Sequence, residues 1–272
     1  MDFKYFSKNG ELLPVEDAVI PLSNIEYQYG FGVYETIRVV NGVPYFLKEH
    51  LERLEESARA IDLIHSLESS IYGTVQELIE KTGAGTYNLK VLLLGGKEPS
   101  LYILCLNPLF PDKKLYRDGA DFVTYEYERP FPHAKTLNML QSYLAYKKAR
   151  ERGAYDALLM NKKGCITEGT RTNFFCIKGR TLYSPPESEI LLGVTRKAVL
   201  TAARREGFQV EERTIGLYDL EDYDGAFVTS TSSKILPVRS VGDHIFTKQP
   251  EALKELMSMF DNFLDECRGT LA

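Results

Sequence analysis

Apolar and polar residues fall along this chain in blocks whose period switches repeatedly between that of a strand and that of a helix. "YETIRVVNGVPYFL" (34–47) carries β-branched and aromatic residues on both sides of Asn41 and Gly42, the pattern of a tight hairpin. In "KEHLERLEESARAID" (48–62), Leu51, Leu54, Ala58 and Ile61 make one helical stripe. A second helix is expected over "SIYGTVQELIEKTG", closed by Gly83, followed by strands in "YNLKVLLLGG" and "LYILCLN".

Beyond residue 120, "DFVTYEYER" reads as a strand. A helix is expected to start at Lys135 and run to about Arg152, with Leu137, Leu140 and Leu144 facing inward. "DALLMNKKGCITEGTRTNFFCIKGRTLYSPP" reads as short strands joined by Lys-Gly and Gly-Arg turns, and "GVTRKAVLTAARREG" as a helix with glycine at both ends. "GAFVTSTSSKILPV" is strand, hydroxyl-rich turn, strand, and "EALKELMSMFDNFLDEC" a closing helix. The proline- and charge-rich "PLFPDKKLYRDG" (108–119) marks an interdomain connection. The expected architecture is a two-domain α/β (α+β) protein: a small N-terminal α/β domain over 1–109, a linker over 110–119 and a larger domain over 120–272 that carries Lys135.

Composition narrows the function classes. The 272 residues are 44% apolar and 26% charged with net charge -5, and no long Lys/Arg run offers a nucleic-acid surface. "MDFKYFSKNGELLPVED" lacks a basic region followed by an apolar run, and no apolar stretch approaches the ~18 residues of a membrane span. Cys105, Cys165, Cys176 and Cys267 lie far apart and read as reduced thiols of a cytoplasmic protein. The four histidines have no metal-ligand spacing, so no metal is expected.

Several residues could carry chemistry. Lys135 stands beside an apolar run, where a lysine either snorkels to water or enters a pocket. "LLGVTRKAV" places Gly193 for close approach, the Val194 N–H at a helix start and the Thr195 hydroxyl beside it, a pattern suited to phosphate. "TSTSSK" (229–234) supplies hydroxyls at a strand end, and Arg53 lies one turn into a helix with His50 on the same side. Taken singly, Thr195 also reads as a cap and Arg53 as a surface ion pair. Glu168 in "CITEGTRTNFF" is either a solvated turn carboxylate or a buried one that holds a proton on a ring nitrogen.

Six segments in order, "YQYGFGVYETIRVVNG", "FLKEHLERLEESA", "AKTLNML", "ITEGTRTNFF", "EILLGVTRKAV" and "FVTSTSSKILPVRSV", resemble the signature of class IV aminotransferases over about residues 23–242. These are fold-type IV pyridoxal-phosphate enzymes that include branched-chain and D-amino-acid aminotransferases and aminodeoxychorismate lyase. The resemblance implies pyridoxal 5'-phosphate between a small and a large domain, with Lys135 forming the internal aldimine. It makes Arg53, Val194, Thr195, Thr231 and Ser232 phosphate ligands, sets Glu168 on the pyridine nitrogen and lays Leu191 against the ring. Tyr29, Tyr34 and Glu35 fall on the substrate side. It also implies a homodimer acting on a small amino-acid-like substrate, with no nucleic acid and no membrane.

The resemblance departs from its branches in two places. Leu140 stands where branched-chain enzymes have a tyrosine, and Leu94 where D-amino-acid enzymes hold the substrate carboxylate with an arginine. Lys90 could supply charge from the same strand face. The leading reading at this level is a 4-amino-4-deoxychorismate lyase that releases pyruvate and 4-aminobenzoate for folate biosynthesis. An aminotransferase of the D-amino-acid or branched-chain type is the alternative, and a non-catalytic cofactor-binding protein the lesser one.

Overall fold

The computed structural model describes residues 1–66 and 68–270, with the side chains of 68–70 and 268–270 left aside. Two compact units emerge: Met1–Leu109 together with Ala134–Asn138, and Phe110–His133 together with Met139–Thr270.

The first unit is built on a six-stranded antiparallel sheet. In chain order its elements are β1 (Tyr5–Lys8), β2 (Glu11–Pro14), the short helix α1 (Ile25–Gln28), β3 (Gly32–Val40), β4 (Val43–Pro44), α2 (Leu47–Ala60), α3 (Glu68–Thr82), β5 (Thr86–Leu94) and β6 (Ser100–Leu106). The strand order is β2-β1-β6-β5-β3-β4. The expected β3–β4 hairpin forms, with Val40 opposite Val43 and positive φ at both Asn41 (52°) and Gly42 (83°), as a two-residue primed turn requires. The stripe Leu51, Leu54 and Ala58 of α2 packs on Val33, Ile37 and Val39 of β3 and on Leu89, Val91 and Leu93 of β5. Each fully buried leucine there stabilises the fold by roughly 1.5–3 kcal/mol relative to exposure.

The second unit contains α4 (Lys113–Asp118), β7 (Ala120–Glu126), α5 (Leu140–Glu151), β8 (Asp156–Met160), β9 (Cys165–Gly169), β10 (Asn173–Lys178), β11 (Thr181–Ser184), α6 (Val194–Arg205), β12 (Gln209–Glu212), β13 (Ile215–Gly216), β14 (Gly225–Ser230), β15 (Lys234–Val241), β16 (His244–Ile245) and α7 (Glu251–Thr270). Pairing runs β10-β14-β15-β7-β8-β9, and β9 pairs again with β10, so these six strands close into a ring. Closure removes their free edges. Phe122, Leu158, Phe174, Val228 and Leu236 belong to the core of this unit.

Four expectations are corrected. Residues 110–119 are not a bare linker: Asp112 caps α4 by accepting the Lys114 N–H at 2.7 Å, and the Tyr116 hydroxyl donates to Ser233 O at 3.0 Å within the second unit. The helix after Lys135 starts at Leu140, not at the lysine. Its leucines do not face inward; Leu140 is 64% and Leu144 40% exposed, while Ser142, Ala145 and Ala149 are buried. Lys135 itself clusters with the first unit because residues 134–138 lie extended along β3.

Candidate active site

The expected site residues fall into two sets, one in each unit. In the first unit the Lys135 segment is fixed through its backbone. Tyr34 N–H donates to Lys135 O and Leu137 N–H to Gly32 O, both at 2.9 Å, around an antiparallel bridge between Val33 and Thr136. Lys135 N–H donates to the buried Ser57 hydroxyl of α2 at 3.0 Å. The lysine is half-buried, with Nζ 4.6 Å from the centre of the Tyr34 ring. Lys90 Nζ lies 3.4 Å from the same ring centre, so one aromatic ring serves two cations. The segment that carries the Lys135 amine is thus pinned on both sides.

The β3–β5 register is regular from Gly32↔Leu94 through Thr36↔Lys90, so Lys90, Leu92 and Leu94 share one sheet face with Tyr34. Leu92 and Leu94 line a cavity of about 350 Å³ on that face with Tyr102, Leu104 and Leu137. Leu94 packs with Phe6 and Tyr102, an apolar setting at the position where an arginine was sought.

Glu35 was expected on the substrate side, but it points to the opposite, core face with Val33 and Ile37 and is 0% exposed. Its Oε1 accepts from Arg53 Nε at 2.6 Å and its Oε2 from Arg53 Nη2 at 2.8 Å. His50 Nδ1 lies 2.7 Å from Oε2. Burial pushes the Glu35 carboxyl up, yet the Arg53 guanidinium and then His50 outweigh it and hold it well below the usual carboxylate range. For His50, burial lowers its proton affinity first; Glu35 pulls it up, Arg53 and Lys135 push it down, and the balance is below its ordinary value of 6.5. His50 is therefore neutral near pH 7 and donates through Nδ1–H to the ionised carboxylate. Arg53 is 8% exposed, so it is neither a surface ion pair nor a simple exposed anion ligand. Tyr29 is 73% exposed.

In the second unit, strand register makes a row. Glu168 on β9 stands opposite Asn173 on β10, which stands opposite Thr229 on β14. Asn173 Nδ2 donates to Leu191 O at 2.7 Å, and Leu191 N–H donates to Glu168 Oε2 at 3.2 Å. This ties the loop ahead of α6 to the end of the row, with Leu191 itself buried. Gly193 caps α6 without a side-chain hydrogen bond, and a Cβ there would sit 2.1 Å from Asn173 Oδ1. Only glycine lets the helix start approach that closely. Val194 and Thr195 thus open α6 at the sheet end that carries Thr229, and Thr231 and Ser232 lie half-buried in the turn after β14. That turn is braced by the Ser230 and Ser233 hydroxyls, 2.7 Å apart.

Glu168 is buried, as its functional reading requires, and Arg129 Nε lies 2.9 Å from its Oε1. The contact is an ion pair rather than an aligned hydrogen bond, while Arg129 Nη2 donates to Thr170 O at 3.2 Å. The two side chains line a cavity of about 400 Å³. Arg129, Asn173 and Ser57 were missed in the sequence; all three stand inside quoted segments, but nothing in their spacing marks them.

These residues fit a phosphate-bearing pyridine ring. A helix start has first-turn N–H groups and no side-chain cap, the Thr229 hydroxyl is buried with no hydrogen-bond partner, and a buried carboxylate stands in the same row.

The comparisons agree with this geometry. A sequence profile of the family amino-transferase class IV matches residues 32–241. A Methanocaldococcus jannaschii protein with a provisional branched-chain-amino-acid aminotransferase name is 32% identical over 274 residues, 93% of each chain. The D-alanine aminotransferase of Bacillus licheniformis is 32% identical over 247 residues, 86% of this chain and 87% of that one. The Thermoproteus uzoniensis branched-chain aminotransferase crystallised with norvaline superposes with a TM-score of 0.86 at 26% identity, over 96% of this chain and 95% of that one. The chain belongs to the class IV aminotransferases, and it is a pyridoxal-phosphate-dependent enzyme.

Proposed function

We propose that this enzyme is an aminotransferase that moves the amino group between an amino acid with an apolar side chain and a 2-oxo acid. The observation that carries the reading is Lys135, clamped through its backbone to β3 and Ser57 with its amine against the Tyr34 ring. The apolar cavity at Leu92 and Leu94 on the same sheet face suits an apolar side chain, and Lys90 beside Tyr34 suits a carboxylate. The relatives reported above bear aminotransferase names, which moves the reading from the lyase to the aminotransferase and removes the support for a role in folate biosynthesis.

The cofactor, when bound, supplies an electron sink for charge that develops on the substrate's α-carbon. Lys135 would act as nucleophile and carry the proton to and from that carbon, and Glu168 would hold a proton at the ring nitrogen. Val194, Thr195, Thr231, Ser232 and Arg53 would hold the phosphate, and Leu191 would lie against the ring. Exposed Val19, Ile20, Leu22 and Ile25 support a homodimer. The absence of a disulfide among the described residues supports a cytoplasmic setting, and no helix among them is long and apolar enough to cross a membrane.

The test is a half-reaction on cofactor-loaded protein with L-leucine, L-glutamate and D-alanine in turn, no acceptor being present. Conversion of the cofactor to its amine form by one of them establishes an aminotransferase and names its branch. Persistence of the starting spectrum with all three, with pyruvate release from aminodeoxychorismate, returns the lyase.

A further inference from the structure

Glu35, His50 and Arg53 form a buried cluster that the proton-transfer chemistry does not use. Three elements meet there: β3 brings Glu35, α2 brings His50 and Arg53, and the 134–138 segment brings the charge of Lys135 to bear on His50. The cluster is nearly sealed, with Glu35 0%, His50 1% and Arg53 8% exposed. With Glu35 ionised, Arg53 charged and His50 neutral, its net charge is zero, so Arg53 has no surplus charge to offer a ligand. What it has is direction. The carboxylate grips the Nε/Nη2 edge of a planar guanidinium, which fixes the plane and turns the Nη1 end away from Glu35. His50, bonded to Oε2, in turn fixes the carboxylate.

We propose that Glu35 and His50 are positioning residues that set the Arg53 fork for the phosphate group of the cofactor. The inference rests on the reading of Arg53 as a phosphate ligand. A purely structural role for the cluster, neutralising one buried cation, makes a different prediction. It weakens the fold and every ligand alike, whereas positioning weakens the phosphate contact alone.

The experiment uses the full chain stripped of cofactor and compares dissociation constants for pyridoxal 5'-phosphate and for pyridoxal, which lacks the phosphate. Their ratio is the phosphate preference, measured within each folded protein. Glu35→Gln and His50→Leu, which both keep Arg53, are expected to lower that ratio by about tenfold, the equivalent of about 1.4 kcal/mol, with pyridoxal affinity held within about twofold. Arg53→Met is expected to lower it at least as far. If Arg53→Met lowers the ratio and neither other substitution does, or if both ligands weaken equally, the positioning role is overturned while Arg53 stays a phosphate ligand. If Arg53→Met leaves the ratio unchanged, the reading of Arg53 itself falls and the proposal with it. Should Glu35→Gln fail to fold, His50→Leu decides the matter alone, because it removes the Nδ1–H bond to the carboxylate and leaves the Glu35–Arg53 pair intact.

Discussion

The Lys135 segment is held through its backbone by three hydrogen bonds before the amine is considered, two to β3, of which one is made by Leu137, and one to the Ser57 hydroxyl. Truncating the side chain leaves those bonds in place, so Lys135→Ala is expected to fold normally. It should lose the borohydride-fixable link to the cofactor and slow turnover by roughly 10²–10⁴-fold or more. A variant that still gives a reducible adduct and reacts normally would show that another amine does the work. Glu168 is a different case, because its carboxylate is buried beside Arg129 and takes the Leu191 N–H. Glu168→Gln keeps shape and an acceptor oxygen but removes the charge that the proposed function assigns to the ring nitrogen. Cofactor should stay bound, and single-turnover proton abstraction should fall by about 10²–10³-fold. Unchanged rates would return Glu168 to a structural role. At this scale the sequence identified residue types well and environments poorly. Glu35 shows why: both faces of β3 are largely buried over Gly32–Glu35, so alternation could not tell which face the carboxylate takes.

Elements decide how closely those groups can approach each other. The start of α6, proposed above to hold the phosphate, approaches the sheet this closely only because Gly193 lacks a Cβ that would lie 2.1 Å from Asn173 Oδ1. Asn173 cannot swing aside without breaking its bond to Leu191 O. Gly193→Ala is therefore expected to push the helix start off the sheet, weaken pyridoxal 5'-phosphate binding by tenfold or more, and cost roughly 1–3 kcal/mol of stability through overpacking. Equal cofactor affinity in calorimetric titrations would show that the helix start does not need this approach. The helix itself was legible, as were the α2 stripe, α3 with its closing Gly83 and the Asn41–Gly42 hairpin, because each is specified by neighbours in sequence. The Lys135 segment was not. Leu137, Leu140 and Leu144 have helical spacing, but residues 134–138 pair with a strand a hundred positions earlier, and no local period reports that. The N-terminal β1–β2 hairpin was passed over although Asn9 and Gly10 carry the same turn signal, with φ of 51° and 92°. Helix α4 was hidden by prolines and charges that look like a linker, its anchors being just Leu115 and Tyr116.

Across the whole molecule, the buried titratable groups set how the fold responds to acid, and their signs differ. His50 has a folded-state proton affinity below its ordinary 6.5, so the unfolded chain binds the proton more readily. Its contribution is fully present above pH 6.5 and is lost as pH falls from there toward the lowered folded value. Glu35, held well below its ordinary 4.5, gives a second loss that begins under pH 4.5. Asp156 works the other way: burial raises it above 3.8, so the folded state gains relative to the unfolded one as pH drops through that window. Comparing parent with variant cancels Asp156 and every other group the substitution leaves alone. In denaturant titrations of cofactor-free protein between pH 7.5 and 5, the parent should lose stability with falling pH at a slope steeper than His50→Leu. The excess should approach one proton, about 1.4 kcal/mol per pH unit, inside the His50 window. The variant should be less stable at pH 7.5, where the bond to Glu35 is missing, and the two curves should converge toward the acid side. Parallel curves would mean that His50 is not held neutral by its burial, and the zero net charge assigned to the cluster around Arg53 would then be wrong by one proton.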